Sequence, residues 1–185
     1  MRKRACYGLF IDFRNAFNTV PHKASFEKLR LKKVLPADEI DYLEQIYSRI
    51  KIKIGKNIIQ PNRGVAQGSI LSPALFNLFI EDLSQEIQAK ADIPVDDLLF
   101  YADDLLTLCS SPAQLEKVIG IIKNWCAING MSLNEKKSGI IVFAHRLAKS
   151  IPWMRSVITK KGNLAWEPLK LEFCGIPICS KYKYL

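Results

Sequence analysis

Apolar and polar residues recur along this chain with periods that change from segment to segment, and each period predicts an element. Ala5 to Ile11 is a continuous apolar run, the pattern of a central strand buried on both faces. After Pro21, residues through Lys33 read as a helix, with Phe26 and Leu29 inward and lysines outward. A second helix follows Pro36 and carries Ile40, Leu43, Ile46, Tyr47 and Ile50 at helical spacing. The period then shortens: from Arg49 to Ile54 basic residues and isoleucines alternate, predicting a half-buried strand with a cationic face. Gly55 and Asn57 suit a turn into a partner strand, Ile58 to Gln60. That cationic face admits two readings, plain solvation or contact with nucleic acid.

A loop with two glycines, Arg63-Gly64-Val65-Ala66-Gln67-Gly68-Ser69, comes next. Ser72 and Pro73 then predict a helix N-cap and first helical position, ahead of an apolar stripe of Leu75, Phe76, Phe79, Ile80 and Leu83. Leu98 to Leu108 is almost wholly apolar apart from Asp103-Asp104, and reads as two strands joined by a tight turn. Taken alone, that acidic pair is ordinary turn chemistry. Ser111-Pro112 with Gln114 predicts a capping box, opening a helix that lines up Leu115, Val118, Ile119, Ile122, Trp125 and Cys126 until Gly130. A strand from Gly139 to Phe143 and another near Leu171 to Ile178 complete the pattern. The order predicts an α+β fold, a small antiparallel sheet with helices packed on one face.

Composition narrows the setting. A chain of 185 residues fits a single domain, of one or two lobes, spanning 1–185. The excess of 27 Lys and Arg over 18 Asp and Glu, a net +9, favours an anionic partner, nucleic acid ahead of a membrane surface. No apolar segment is free of charge over a membrane-spanning length, so no membrane partner is expected. Cys6, Cys109, Cys126, Cys174 and Cys179 are scattered, without a pairing framework or zinc spacing, which points to a reducing intracellular compartment. The basic start Met1-Arg2-Lys3-Arg4 precedes an apolar run too short for a secretion signal, and Asp12 ends it. A protein that is not secreted is expected.

The acidic residues carry the chemistry. Asp12 ends the first strand and Asp103-Asp104 cap the later hairpin, so neighbouring strands would bring three carboxylates to one end of the sheet. Such a cluster is costly without a counter-ion, because like charges raise one another's pKa. Magnesium resolves the conflict, being held by one or two carboxylates plus substrate phosphates. Two such ions about 4 Å apart activate an attacking hydroxyl and neutralise a leaving oxygen, which is the requirement of nucleotidyl transfer. His22 and His145 lie in no nucleophile or metal-ligand motif, and no Walker or dinucleotide glycine fingerprint is present.

The motifs have a family resemblance. Leu9-Phe10-Ile11-Asp12-Phe13-Arg14-Asn15-Ala16-Phe17-Asn18-Thr19-Val20-Pro21-His22 resembles the first palm motif of reverse transcriptases. Arg63 through Ser69, continuing Ile70-Leu71-Ser72-Pro73, resembles their second motif, and Phe100-Tyr101-Ala102-Asp103-Asp104 their third. Asn129 through Ser138 is similar to the fourth, and Tyr182-Lys183-Tyr184-Leu185 to the start of the primer grip. The wording is nearest to non-LTR, LINE-type retrotransposon enzymes. Four motifs in order over nearly the whole chain make a specific match.

The resemblance implies an RNA-directed DNA polymerase that adds dNTPs to a DNA primer on an RNA template. It implies that Asp12, Asp103 and Asp104, with the backbone carbonyl of Phe13, hold two Mg2+ ions, Mn2+ being the alternative. Phe17 would be a steric gate against the 2′-hydroxyl, or a plain core aromatic. Gln67 and Gly68 would lie along the template base and incoming nucleotide, and glycine there lets backbone approach closely. Lys137 would stand near the departing pyrophosphate as a proton donor, or be a solvated lysine. Arg63 would contact phosphate or remain solvated; Tyr101 would flank the primer end or pack in its strand. Asn18 stands where many relatives have Asp, and Ala66 where they have Pro. The fingers segment that would precede Asp12 and the thumb that would follow the primer grip are missing, so a palm-centred fragment of a retrotransposon polyprotein is expected. Its setting would be a nuclear or cytoplasmic ribonucleoprotein. The alternative is an inactive or co-opted palm module that binds RNA or protein.

Overall fold

The computed structural model describes residues 6–66, 68–142, 171–173 and 176–178; Gln67, His145, Cys174, Cys179 and the primer-grip segment lie outside them. In chain order the elements are β1 (Tyr7–Asp12), α1 (Ala16–Thr19), α2 (His22–Lys32), α3 (Ala37–Arg49), β2 (Ile52–Ile54), β3 (Asn57–Ile59) and α4 (Leu71–Ala91). There follow β4 (Leu98–Tyr101), β5 (Asp104–Cys109), α5 (Pro112–Asn129), β6 (Gly139–Val142), β7 (Leu171–Phe173) and β8 (Ile176–Ile178). The fold is α+β, as the pattern predicts.

The apolar run of β1 becomes an inner strand of a four-stranded antiparallel sheet ordered β4-β5-β1-β6. From Tyr7 to Ile11 every residue of β1 is buried, on both faces, which is why its sequence does not alternate. β5 does alternate: Leu105, Thr107 and Cys109 are buried, while Asp104, Leu106 and Leu108 are half-buried. The sheet therefore has a sealed face and a more open one. Leu9 and Ile11 share the sealed face with Leu105 and Thr107, through the register Leu9↔Thr107 and Ile11↔Leu105. Burial pushes the Cys109 thiol, on the same face, up to about 11.

The chain divides into two compact units: residues 1–13, 86–123 and 133–185 form the first, and 14–85 with 124–132 the second. The first holds the sheet, with Ile87 of α4 and Leu115, Val118 and Ile122 of α5 buried in it. Ser111 caps α5, its Oγ accepting the Gln114 N–H at 3.2 Å. The return arm of the predicted box reaches one residue further, Gln114 Oε1 accepting from the Ser110 N–H at 2.8 Å. Gln114 Nε2 also donates to the carbonyls of Ala91 and Asp92, tying off the end of α4.

In the second unit the core is α2, α3 and the first part of α4. Lys28 is folded inward there: its ammonium ion lies 2.7 Å from Asp82, 4.3 Å from the Phe79 ring centre and 4.8 Å from that of Trp125. Trp125 Nε1 donates to the other Asp82 oxygen at 3.1 Å. Burial holds the Lys28 ammonium below its usual range, against the opposing pull of Asp82. The pair of rings and the carboxylate keep this inward cation compensated.

Four details depart from the sequence pattern. The four-residue α1 has no sequence signal of its own; it is entered through Asn15 in the left-handed region at φ 49°. Helix α4 starts at Leu71, so Ser72 and Pro73 fall inside its first turn and Ser69 does the capping, accepting the Leu71 N–H at 3.3 Å. The strand expected near Leu171 to Ile178 is two short strands, paired as a hairpin with the register Glu172↔Pro177. The hairpin β2–β3 is exposed on both faces rather than half-buried, since among the described residues its two strands pair only with each other.

Candidate active site

β4 and β5 are joined by only two residues, Ala102 and Asp103. Ala102 adopts φ 51°, a left-handed conformation uncommon for a residue with a Cβ. Two-residue hairpin loops require such positive φ to match the twist of their strands. The register then sets Tyr101 opposite Asp104, and Asp104 opposite Asp12 on β1. Directly opposed residues in antiparallel strands project to the same face. Tyr101, Asp104 and Asp12 thus form one row across the end of the sheet, on its more open face. Asp103 stands beside the row, in the turn.

The fourth place in the row is supplied from the other side. The β1–β6 register ends at Phe10↔Gly139, and Lys137 comes from the turn that precedes β6. Lys137 Nζ lies 3.7 Å from Asp12 Oδ1. A short turn fixes this approach, with the N–H groups of Lys137 and Ser138 both bonded to the Asn134 carbonyl. The turn clasps Asp12 by its backbone: Asn134 N–H donates to the Asp12 carbonyl at 2.8 Å, and Asp12 N–H donates to Ser138 Oγ at 3.1 Å. Phe13 follows with its ring buried and its backbone bridged to Leu133. The Asp12 carboxylate is thereby not used by the clasp and has Lys137 as its charged neighbour.

Electrostatics give the row its character. Carboxylates directly opposed across a ladder destabilise it unless a cation intervenes. Burial, reinforced by the charges of Asp104 and Asp12, holds the Asp103 carboxyl above the usual carboxylate range; its own backbone N–H and Lys137 act in the opposite sense. Lys137 is largely exposed, so its ion pair compensates the row only weakly. Among the described residues, no three His, Cys, Asp or Glu side chains are grouped so as to hold a metal ion as they stand. An open acidic row suits a hard divalent cation that completes its shell with substrate phosphate and water.

In the second unit, Phe17 stacks on Phe76 with ring centres 4.7 Å apart and an interplanar angle of 14°. Its other surroundings are an open cavity of about 390 Å³, lined also by Gly68, Ser69, Ile70, Ser72 and Pro73. Gly68 has φ 85° with open space where a Cβ would stand. The loop is anchored upstream: Gly64 N–H bonds the Val20 carbonyl and Val65 N–H bonds the Phe17 carbonyl, each at 2.8 Å. Gly64 is needed there, because a Cβ would meet the Asn18 carbonyl oxygen at 3.1 Å. Arg63 donates to the Gly130 carbonyl at 2.9 Å, tying the loop to the end of α5.

The sequence-predicted residues therefore fall into groups. Asp12, Asp103, Asp104, Lys137 and Tyr101 are gathered at one end of the sheet in the first unit. Phe17 and Gly68 share a cavity in the second. Arg63 has a backbone carbonyl as its partner, and Gln67 lies outside the described residues. Sequence reasoning passed over Asn134 and Ser138. Their signal was the polar run before an apolar strand, which marks a turn but not what the turn grips.

Comparison with known proteins bears on family and fold. A family profile described as reverse transcriptase (RNA-dependent DNA polymerase) matches residues 1–178. The chain is 31% identical over 156 residues to a Pol polyprotein from the type-1 retrotransposable element R2 of Popillia japonica, covering 77% of this chain and 22% of that protein. It is 28% identical over 188 residues to a probable RNA-directed DNA polymerase from transposon BS of Drosophila melanogaster, covering 95% and 20%. With the Pol polyprotein of element R2DM of the same fly, identity is 29% over 143 residues, covering 72% and 13%. The chain thus spans about a fifth or less of the length of several such relatives. Among solved structures, telomerase from Candida tropicalis in complex with a fragment of telomeric RNA superposes with a TM-score of 0.63 at 17% identity, covering 77% of this chain and 27% of that one. That likeness establishes a shared fold.

Proposed function

The chain belongs to the reverse transcriptase family, and we propose that it is the catalytic palm of an RNA-directed DNA polymerase, part of a larger retrotransposon polyprotein. The observation that carries this reading is the row Tyr101–Asp104–Asp12, with Lys137 at its end and Asp103 in the adjoining turn. Two divalent cations, Mg2+ first, held by Asp12, Asp103, Asp104 and the Phe13 carbonyl would activate a primer 3′-hydroxyl and neutralise the leaving oxygen. The protein's own part is positioning: the Asn134–Ser138 clasp fixes Asp12, and the two-residue loop fixes Asp103 against Asp104. Lys137, next to Asp12 and largely solvated, gives a proton to the departing diphosphate. Phe17, held by Phe76, presents its ring to the cavity and rejects a 2′-hydroxyl by collision, which favours deoxynucleotides. Gly68 offers bare backbone to the nucleotide. RNA template and DNA primer are the expected partners. An intracellular ribonucleoprotein is the expected setting.

Primer extension on an RNA template with Mg2+ tests the proposal, run on the chain alone and joined to the flanking sequence of its own reading frame. Asp103→Asn is expected to lower extension by about a hundredfold or more. Extension that survives this change removes Asp103 from the mechanism. Phe17→Ala is expected to admit ribonucleotides, with discrimination falling about tenfold or more. Template binding without extension in either form would favour a co-opted module.

A further inference from the structure

The hairpin β2–β3 takes no part in the site described, yet its chemistry is one-sided. Between Glu44 and Glu81 the chain contains no acidic residue, but it carries Arg49, Lys51, Lys53, Lys56 and Arg63. Every residue from Lys51 to Gln60 is exposed. The register Ile52↔Ile59, Lys53↔Ile58 and Ile54↔Asn57 puts Ile52, Ile54 and Ile59 on one face; Lys53 stands on the other beside Ile58, Lys51 alternates onto that same face, and Lys56 lies in the turn.

We propose that this hairpin is a docking surface for the phosphate backbone of a nucleic-acid duplex, gripped by Lys51, Lys53 and Lys56 without reading sequence. The proposal rests on the polymerase reading, which makes an RNA–DNA hybrid the natural duplex. A duplex is favoured over a single strand because surfaces for single strands pair cations with aromatic stacking platforms. No aromatic residue lies between Tyr47 and Phe76. Backbone contact by lysines alone positions a duplex and carries no base information.

The test is fluorescence anisotropy of the chain with a labelled RNA–DNA hybrid, and with single-stranded RNA of the same sequence, across a salt series. Binding needs no catalysis, so the result stands even if the chain extends no primer. The variant K51Q/K53Q/K56Q changes exposed side chains only and is compared with K23Q/K117Q/K123Q, an equal loss of charge at exposed positions elsewhere. The hairpin variant is expected to flatten the slope of log affinity against log salt by about 2 to 3, near 0.9 for each lost phosphate contact. Affinity for the hybrid should fall about tenfold or more at 0.1 M salt, roughly, with the control changing far less. Equal effects of the two triples, an unchanged slope, or a loss confined to single-stranded RNA each overturn the proposal. So does a hairpin whose lysine variant binds normally while I52S/I54S changes the oligomeric state, which would make the surface a protein interface.

Discussion

Two hairpins in this protein are written in nearly the same way and come to opposite ends. Both β4–β5 and β2–β3 join short strands through two-residue turns, and both combine branched apolar residues with charge. In β4–β5 the apolar residues have somewhere to go: β5 pairs with β1, and Leu105 and Thr107 are wholly buried. The acids at its tip are thereby held against a rigid sheet. In β2–β3 there is no third strand among the described residues, and Ile52, Ile54, Ile58 and Ile59 remain between 46% and 67% exposed. A hairpin of two strands is marginal by itself. The difference teaches that a charge becomes a positioned group only when the strand beneath it is paired and packed.

That contrast can be broken or sharpened by substitution, beginning with the largest effect. Asp12→Asn should remove primer extension, by about a hundredfold or more, with secondary structure retained by circular dichroism. Next, Leu105→Ala in β5 is expected to cost about 2–5 kcal/mol in urea unfolding, whereas Ile54→Ala in β2 should cost under about 1 kcal/mol. Equal costs would mean that the β2–β3 hairpin is packed after all. Ala102→Val places a β-branched residue at φ 51° and should destabilise by about 1–2 kcal/mol, read from the same titration. Ser138→Ala removes the acceptor for the Asp12 N–H and should cost about 1 kcal/mol, with a larger proportional loss of extension than of stability.

The smallest expected effect concerns pH. The folded protein holds the Asp103 proton more tightly than the unfolded chain does, so this group adds stability as pH falls through its raised value. The gain is complete below the ordinary value of 3.8 and absent at neutral pH, where the charged form is penalised. Asp103→Asn should therefore raise the neutral-pH Tm by about 1–3 °C and flatten this part of the pH profile. A drop in neutral-pH Tm would show that Asp103 contributes to the hairpin beyond its charge.

Much of the site was legible because its chemistry is local in sequence. An acidic pair in an apolar run, a strand ending in Asp12 and a two-glycine loop can each be read from neighbours alone. Ser138 was not legible in this way: serine before a strand is ordinary, and only its reach to Asp12, 126 positions earlier, gives it a role. Arg63 is the reverse case. Beside a glycine loop it reads as a phosphate contact or a solvated arginine, and the fold adds a bond to the Gly130 carbonyl that the sequence does not announce. The inward fold of Lys28 was equally invisible, since the carboxylate and the two rings that compensate it come from α4 and α5.

By itself, then, the amino-acid sequence determined the elements, the α+β class and the identity of the acidic residues, because periodicity and turn chemistry act over a few residues. Tertiary structure decided which of them face one another. Register set Asp12 against Asp104, and the turn before β6 brought Lys137 within 3.7 Å of Asp12. It decided also that one hairpin is buttressed and the other left in solvent. Pairing and burial depend on residues far apart in the chain, and that distance is what a reading along the chain does not span.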